Sequence, residues 1–278
     1  MRRRLTTLLG AAFALSACRL FVSLDGLGDG PPEGDGASPE SSIGEEAGAA
    51  SDAGADHTVT PFDAAGFPGL DASFDGPDAK VFFDDFERPN ADPLGNGWIE
   101  RFTGAFNLVG GTAAKQTSIN NYRDNIVYRP QSEDLLDVEV VAEIRFSPVP
   151  ENMPMLWARA QNISANRVDG YHVYLDCCAY HFHIARHVGS VSTEIAAFDT
   201  PPLVANQTYR WTLRVTGTTS TAIYSRFEGR NDSGAWVILG QTGYVDFEAD
   251  RIVTPGSVGF SGDVESGYAF DNFSRVGY

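Results

Sequence analysis

The stretch that most constrains this chain, residues 169–187, reads as a β-hairpin with one apolar and one polar face. A turn at Cys177-Cys178 pairs apolar residues across the arms: Leu175 with Tyr180, Val173 with Phe182 and Tyr171 with Ile184. The same register pairs polar residues on the other face: Tyr174 with His181 and His172 with His183. Because side chains alternate along a strand, this pattern predicts one dry face and one face open to a ligand.

Two other segments alternate as regularly, residues 136–146 and residues 208–216. Shorter apolar runs bounded by Gly, Pro and Asn predict further strands at 81–86, 106–109, 125–128, 155–159, 221–227, 236–239, 257–261 and 268–276. No convincing amphipathic helix follows the N-terminal apolar segment. Ten or more short strands predict an all-β fold, an antiparallel two-sheet β-sandwich or jelly roll.

The segment from residue 21 to residue 79 predicts a disordered tether. It contains thirteen Asp and Glu residues, no Lys or Arg, and much Gly, Ala, Pro and Ser. Such a composition cannot bury enough apolar surface to offset the entropy of ordering. We therefore assign the folded domain to residues 80–278, where 24 acidic and 16 basic residues remain. An acidic chain repels nucleic acid phosphates, which argues against a nucleic acid partner.

The first 18 residues resemble the signal peptide and lipobox of bacterial lipoproteins. A basic start is followed by a short apolar segment and by Leu15-Ser16-Ala17-Cys18. The resemblance implies a signal peptide at 1–17, a lipidated Cys18 that begins the tether (18–79), and a membrane anchor of several acyl chains. With Arg19 rather than Asp after the cysteine, we expect the outer membrane or cell surface of a bacterium. The alternative is an ordinary secretory signal in which Cys18 falls by chance near the cleavage point.

Several short motifs resemble, in their order, the concanavalin A-like, laminin-G-like domains of bacterial surface proteins. They are Asp84-Asp85-Phe86-Glu87-Arg88 with Gly97-Trp98, Ala158-Arg159-Ala160, Asp169-Gly170-Tyr171, Tyr209-Arg210-Trp211, Gly256-Ser257-Val258-Gly259-Phe260 and Phe270-Asp271-Asn272-Phe273. The resemblance covers about residues 81–278. It implies a jelly roll that binds carbohydrate on a concave sheet or on rim loops, often with structural Ca²⁺.

Two metal sites follow as hypotheses. If the first and last strands are neighbours, Asp84 and Asp85 would meet Asp271 and could hold Ca²⁺ with added backbone carbonyls. The alternative is that the aspartates cap turns. A transition metal on His172, His181 and His183 competes with ordinary packing of these side chains beside Tyr174.

The sequence offers weak support for catalysis. The nearest approach to the acidic strand of laminarinase-type glycanases is Asp137, Glu139 and Glu143. Their order differs from that strand, and Arg145 is expected to pair with Glu143, so a solvated strand face explains them better. No G-x-S-x-G, P-loop or H-E-x-x-H motif is present.

Cys177 and Cys178 are adjacent and would lie in an oxidising compartment. We favour a vicinal disulfide that acts as a structural clip in the turn. Two free thiols or an intermolecular bond are the alternatives.

Together these features predict a lipid-anchored cell-envelope protein whose β-sandwich binds a ligand, a glycan in our interpretation, without catalysis. The predicted binding residues are His172, Tyr174, His181 and His183. Two other hypotheses stay open: a glycoside hydrolase or lyase with an unrecognised acid pair, and a protein–protein adhesion or structural module.

Overall fold

The computed structural model describes residues 79–147, 153–176 and 180–277, which fold as β-strands joined by loops and the 3₁₀ turn Gln131–Glu133. In chain order the strands are β1 Lys80–Asp84, β2 Ile99–Glu100, β3 Phe106–Val109, β4 Thr112–Lys115, β5 Val127–Tyr128, β6 Val138–Phe146, β7 Pro154–Ser164, β8 Arg167–Leu175, β9 His181–Val188, β10 Val191–Asp199, β11 Thr208–Thr216, β12 Thr221–Arg230, β13 Trp236–Asp246, β14 Ser257–Gly262 and β15 Tyr268–Gly277. Within these residues, no helix has the length and apolar character needed to cross a membrane.

Some predictions fall outside the described residues. The signal peptide, the lipidated Cys18 and all of the tether except Ala79 are among them, and so are Cys177 and Cys178. Lipidation and the vicinal disulfide therefore stay predictions.

The strands form two antiparallel sheets that pack face to face. The eight-stranded sheet has the order β13-β12-β11-β6-β15-β4-β3, and β1 also pairs with β15. The seven-stranded sheet has the order β10-β9-β8-β7-β14-β5-β2. This arrangement confirms the predicted all-β, two-sheet antiparallel sandwich. The expectation that the first and last strands are neighbours is also confirmed.

Alternating side chains of the central strands fill the space between the sheets. On β6 every second residue is fully buried: Val138, Val140, Ala142, Ile144 and Phe146. On β11 the buried apolar residues are Tyr209, Trp211, Leu213 and Val215. At one end of the core, the Trp98 ring lies 5.1 Å from Phe260 and 4.9 Å from Phe273, centroid to centroid. The predicted alternation is confirmed, and it leaves the intervening side chains on the outer face of the eight-stranded sheet.

The hairpin formed by β8 and β9 keeps the predicted faces but not the predicted pairs. Tyr174 lies opposite His183, not opposite His181. The connection is longer than a two-residue turn, because the Asp176 N–H donates to the His181 carbonyl at 2.9 Å and Tyr180 adopts a φ of 58°. The dry-face residues Tyr171, Val173, Leu175, Phe182 and Ile184 are all buried. A register shift of two residues changes which residues lie opposite each other but leaves each side chain on the same face of the sheet. The predicted faces are therefore correct although the predicted register is not.

Two strands of four residues or more, β4 and β10, were not predicted from the sequence. β4 is a short, Ala-containing strand inside the eight-stranded sheet, between β15 and β3. β10 is an edge strand whose first four residues are all exposed, and a bulge between Glu194 and Ala196 interrupts its pairing with β9. Neither strand shows the apolar alternation by which the others were recognised.

One buried arginine connects separate loops of the sandwich through hydrogen bonds. The Arg159 side chain is fully buried and donates to the carbonyls of Leu136 at 2.6 Å, Ile252 at 2.6 Å and Gly217 at 2.8 Å. Its backbone has a φ of 51° and approaches Gly256 so closely that a Cβ there would lie 2.4 Å from the Arg159 carbonyl carbon. Two of the recurring motifs, those containing Arg159 and Gly256, thus meet at one structural contact.

We predict that Arg159→Met lowers the free energy of unfolding by about 3 kcal/mol or more, because three carbonyls that are buried or partly buried lose the donor that the fully buried guanidinium supplies. Urea denaturation measures this loss. Arg101→Met is the control, since Arg101 lies 3.8 Å from Asp124 in a partly exposed pair and a much smaller loss is expected. Equal losses in the two variants would contradict the structural role of Arg159.

Candidate functional site

The predicted ligand residues lie at different depths on the outer face of the seven-stranded sheet. The Tyr174 and His183 rings stack with centroids 4.7 Å and planes 13° apart. His183 Nδ1 lies 2.8 Å from the Glu194 carboxylate, and His181 is exposed at the end of β9. His172, in contrast, is only 1% exposed. The structure therefore brings Tyr174, His181 and His183 to the surface and removes His172 from it.

His172 belongs to a small second core outside the sandwich interior. Its ring lies 4.3 Å from Trp157, and Tyr122 packs at 6.1 Å. Burial, together with the electrostatic effects of the neighbouring His187 and Arg123, lowers the pKa of His172 to about 3. The buried apolar members of this second core are Ile126, Met155, Trp157, Ala160 and Val168. In this arrangement neighbouring side chains cover His172, so it is not accessible to a ligand on the sheet surface.

The three histidines do not converge on a metal ion. The rings of His181 and His183 are 6.5 Å apart, and Tyr174 lies between His183 and His172. Across the described residues, no group of three or more His, Cys, Asp or Glu side chains is placed to hold a metal.

The three predicted calcium ligands do not form a metal-holding group among the described residues. Asp84 is buried and accepts hydrogen bonds from the Trp98 indole at 2.7 Å and the Arg88 guanidinium at 2.6 Å. Burial acts to raise the pKa of Asp84, but these hydrogen bonds outweigh it and hold the pKa below its usual value. Asp85, the next residue, is exposed, and both aspartates accept the N–H group two residues further on. Both aspartates thus form the turn-capping hydrogen bonds that the alternative predicts.

The acidic strand considered for glycanase activity is organised differently from the prediction. Glu139 pairs with Arg214 at 3.1 Å. Glu143 lies 3.9 Å from Arg230 and does not pair with Arg145. The expected Glu143–Arg145 pair is therefore wrong, which leaves Arg145 available for other contacts.

A groove runs along the outer face of the eight-stranded sheet. Its larger part is a cavity of about 770 Å³ lined by Val109, Gly110, Thr112, Ala114, Lys115, Gln116, Thr117, Ile144, Arg145, Ser147, Thr208, Ser266, Gly267, Tyr268, Ala269 and Asp271. A second cavity of about 390 Å³ is lined by Gln207, Thr208, Arg230, Asn231, Asp232 and Gly234. Thr208 borders both cavities, so the two are neighbours on this face. We call the two cavities together the outer groove.

Small side chains on neighbouring strands create the outer groove. Ala269 of β15 lies opposite Ala114 of β4 on one side and opposite Arg145 of β6 on the other. Thr208 of β11 lies opposite Arg145 on its far side. Alternation forces this arrangement, because the neighbours of Ala269 along β15, Tyr268 and Phe270, must point into the core.

Charged side chains stand in rows across the same face. The first row contains Ala269, Arg145 and Thr208. The second row contains Asp271, Glu143, Arg210 and Glu228, and Arg210 donates to both Glu228 oxygens at 2.7 Å. Arg210 and Glu228 thus neutralise each other, whereas the carboxyls of Asp271 and Glu143 have no cationic partner within the row.

Asp271 and Glu143 form a carboxyl pair beside the outer groove. They are directly opposite each other on β15 and β6. Burial raises the pKa of Asp271, and the nearby charges of Glu143, Glu87 and Asp85 raise it further. Glu143 accepts a hydrogen bond from the Asn272 amide at 3.2 Å. The pair therefore combines one carboxyl that retains its proton more readily with one hydrogen-bonded carboxylate.

Comparison with known proteins gives fold-level similarity alone. No protein-family model and no curated protein matches the sequence. Among solved structures, the carbohydrate-binding module CBM66 from Bacillus subtilis is 15% identical, with a TM-score of 0.41 over 64% of this chain and 94% of that one. A galectin-like protein of unknown function from the same organism has 10% identity and a TM-score of 0.46, over 70% and 94%. The β-glucanase of Bacillus licheniformis has 10% identity and a TM-score of 0.40, over 71% and 98%.

The sequence analysis identified Asp271 and Glu143 as candidate residues, each in a different group, and did not predict that they lie opposite each other. Asp271 was grouped with Asp84 and Asp85, and Glu143 with Glu139. Their pairing depends on β6 and β15 being neighbours, although more than a hundred residues separate them. The apolar alternation of each strand places both carboxyls outside, but it does not reveal which strands are adjacent.

The depressed pKa of His172 predicts acid sensitivity. Unfolded His172 would titrate near 6.5 and folded His172 near 3, so between these values the unfolded state binds more protons and stability falls as the pH falls. Lowering the pH from 6.5 to 5 should cost about 2 kcal/mol through this residue. Urea denaturation of the wild type and of His172→Gln at several pH values measures the difference. A wild type no more acid-sensitive than the variant would contradict the assignment.

Proposed function

We propose that the β-sandwich binds a glycan in the outer groove. The observation that carries this proposal is the open depression of about 770 Å³, which has the second cavity beside it at Thr208. Its volume lies within the usual range for small-ligand sites, about 300–1,000 Å³. Its length across the strands suits a chain of sugar units better than a single compact ligand.

The chemistry of the lining fits a sugar. Hydroxyl and amide groups surround the floor: Thr112, Gln116, Thr117, Ser147, Thr208 and Ser266. The floor itself is formed by small apolar groups, such as Ala114 and Ala269. A sugar ring presents hydroxyls around its rim and C–H groups on its faces, so a polar rim over a small apolar floor complements it. Trp236 is not a stacking platform here, because Arg210 and Arg230 lie 4.8 and 4.1 Å from its ring centroid.

The hairpin surface remains a second location for the same function. Tyr174 and His183 offer a stacked aromatic pair there. Neither cavity of the outer groove is lined by a hairpin residue, so the two locations can be tested independently.

A glycan array with the folded domain tests the proposal. Ala269→Trp fills the floor of the outer groove and is expected to reduce binding about tenfold or more, because a ligand would lose its contact surface. The double variant Tyr174→Ala, His183→Ala is the matched control and should bind like the wild type. The opposite result would move the site to the hairpin. Absence of binding from a folded sample would favour the adhesion or structural hypothesis.

The carboxyl pair supports a second candidate function, glycoside hydrolysis. Residues directly opposite in an antiparallel pair have Cβ atoms about 4.5–5.5 Å apart. Retaining glycosidases hold their two carboxyl groups about 5–5.5 Å apart. Glu143 would attack the anomeric carbon while Asp271 gives its proton to the glycosidic oxygen, so that the C–O bond breaks and the protonated alcohol leaves. Water, deprotonated by the ionised Asp271, would then hydrolyse the glycosyl ester on Glu143 and release the sugar. Chromatography of bound oligosaccharides after incubation tests this: turnover should vanish in Glu143→Gln and Asp271→Asn, while binding persists.

We further propose that Cys18 anchors the domain to the bacterial cell envelope, as the lipobox resemblance implies. Supporting this is the order of basic start, apolar segment and Leu15-Ser16-Ala17-Cys18. Cell fractionation should find the wild type with membranes and Cys18→Ser in the soluble or unprocessed fraction. An unchanged distribution would favour an ordinary secretory signal.

A further inference from the structure

Arginines on the outer face of the eight-stranded sheet differ in their partners. Three of them lie close to carboxylates: Arg210 pairs with Glu228 at 2.7 Å, Arg214 with Glu139 at 3.1 Å and Arg226 with Glu228 at 3.3 Å. Arg145 differs from these. It is exposed, it lines the outer groove, and no described residue forms a hydrogen bond or ion pair with its side chain.

Arg230 lies on the other side of Thr208 from Arg145. We call the space over Thr208, between the two arginines, the notch. Thr208 lies opposite Arg145, and the register that pairs Tyr209 with Gly229 carries Arg230 to the position beside Thr208. Thr208 is short, so it leaves space between the two arginines. Both cavities of the outer groove meet at this residue.

We propose that Arg145 and Arg230, on either side of Thr208, form a subsite for an anionic group of the glycan, a carboxylate or a sulfate. The inference rests on the proposed glycan-binding function and names the class of glycan. A guanidinium presents planar, parallel N–H donors, which suit the paired oxygens of a carboxylate or sulfate. The Thr208 hydroxyl between them can donate a further hydrogen bond.

The charges around the notch leave Arg145 as its principal cation. Arg230 donates to the Gly234 carbonyl at 2.9 Å and lies 3.9 Å from Glu143, so part of its binding capacity is already used. Asp232 lines the second cavity and Asp271 the first. Neither is in the row of Arg145 and Thr208, and Asp271 lies one row further along β15.

The long-range field of the protein opposes anions, since the domain carries more acidic than basic residues. Recognition at the notch would therefore depend on direct contact rather than on electrostatic steering. A contact of this kind weakens with salt, and it is lost when either the ligand charge or the guanidinium is removed.

The test is an array in which each acidic glycan stands beside a matched neutral form. Oligogalacturonate and other uronic acid chains are compared with their carboxyl-reduced derivatives, and sulfated chains with their desulfated forms. We expect the wild type to bind at least one acidic form about tenfold more tightly than its neutral counterpart. The carboxylate and sulfate arms show which anion is preferred.

Three variants isolate the subsite. Arg145→Gln should remove the preference for the acidic form but retain binding of the neutral form. Arg145→Lys should restore the preference in part, because the charge remains without the planar donors. Arg167→Gln is the control, since Arg167 lies on the other sheet and pairs with Asp169; it should keep the full preference.

The outcomes separate the two proposals. If acidic and neutral forms bind equally, or if the preference persists in Arg145→Gln, the anionic subsite is overturned and glycan binding stands. If the folded wild type binds none of the glycans, both proposals fall. Unfolding curves of each variant establish that altered binding does not reflect a misfolded sample.

Discussion

The structure depends on one constraint, the two-residue alternation of the central strands β6, β11 and β15. The space between the sheets takes every second side chain of these strands, and those positions are filled by large apolar groups such as Trp211 and Phe270. The side chains at the intervening positions point away from the core, so they need not be apolar. They hold Arg145, Thr208 and Asp271, the residues that border the outer groove. Core packing therefore determines where the candidate site can lie.

The same constraint explains how much of the fold the sequence could predict. Strands with one buried face, such as β6 and β11, were recognised because an apolar residue recurs at every second position of their sequences. The edge strand β10 carries no such signal, because its solvent-facing start needs no apolar residues. The hairpin register was wrong because the length of the connection is not encoded in the alternation. The Asp176–His181 contact fixes that length instead.

Prediction of the candidate site was limited by long-range contacts. His172 was assigned to an open face because its position along β8 is outward, and the structure confirms that position. What the strand pattern does not show is that Tyr122, about fifty residues earlier in the chain, packs over the same face. Asp271 was likewise recognised as a candidate site residue, but it was grouped with Asp84 and Asp85 alone. Its actual neighbour, Glu143, follows from strand order, which local sequence does not specify.

The two outer faces of the sandwich consequently have different chemistry. Aromatic and apolar side chains on the seven-stranded sheet are covered by the chain itself in a second core, whereas the eight-stranded sheet carries rows of charges beside an open groove. Successive rows are two residues apart along a strand, about 7 Å. An anionic substituent held between Arg145 and Arg230 would thus place the adjoining part of a sugar chain near Asp271 and Glu143. Binding in the first row and chemistry in the second row are therefore compatible within one bound chain, and the row spacing would set which linkage meets the carboxyl pair.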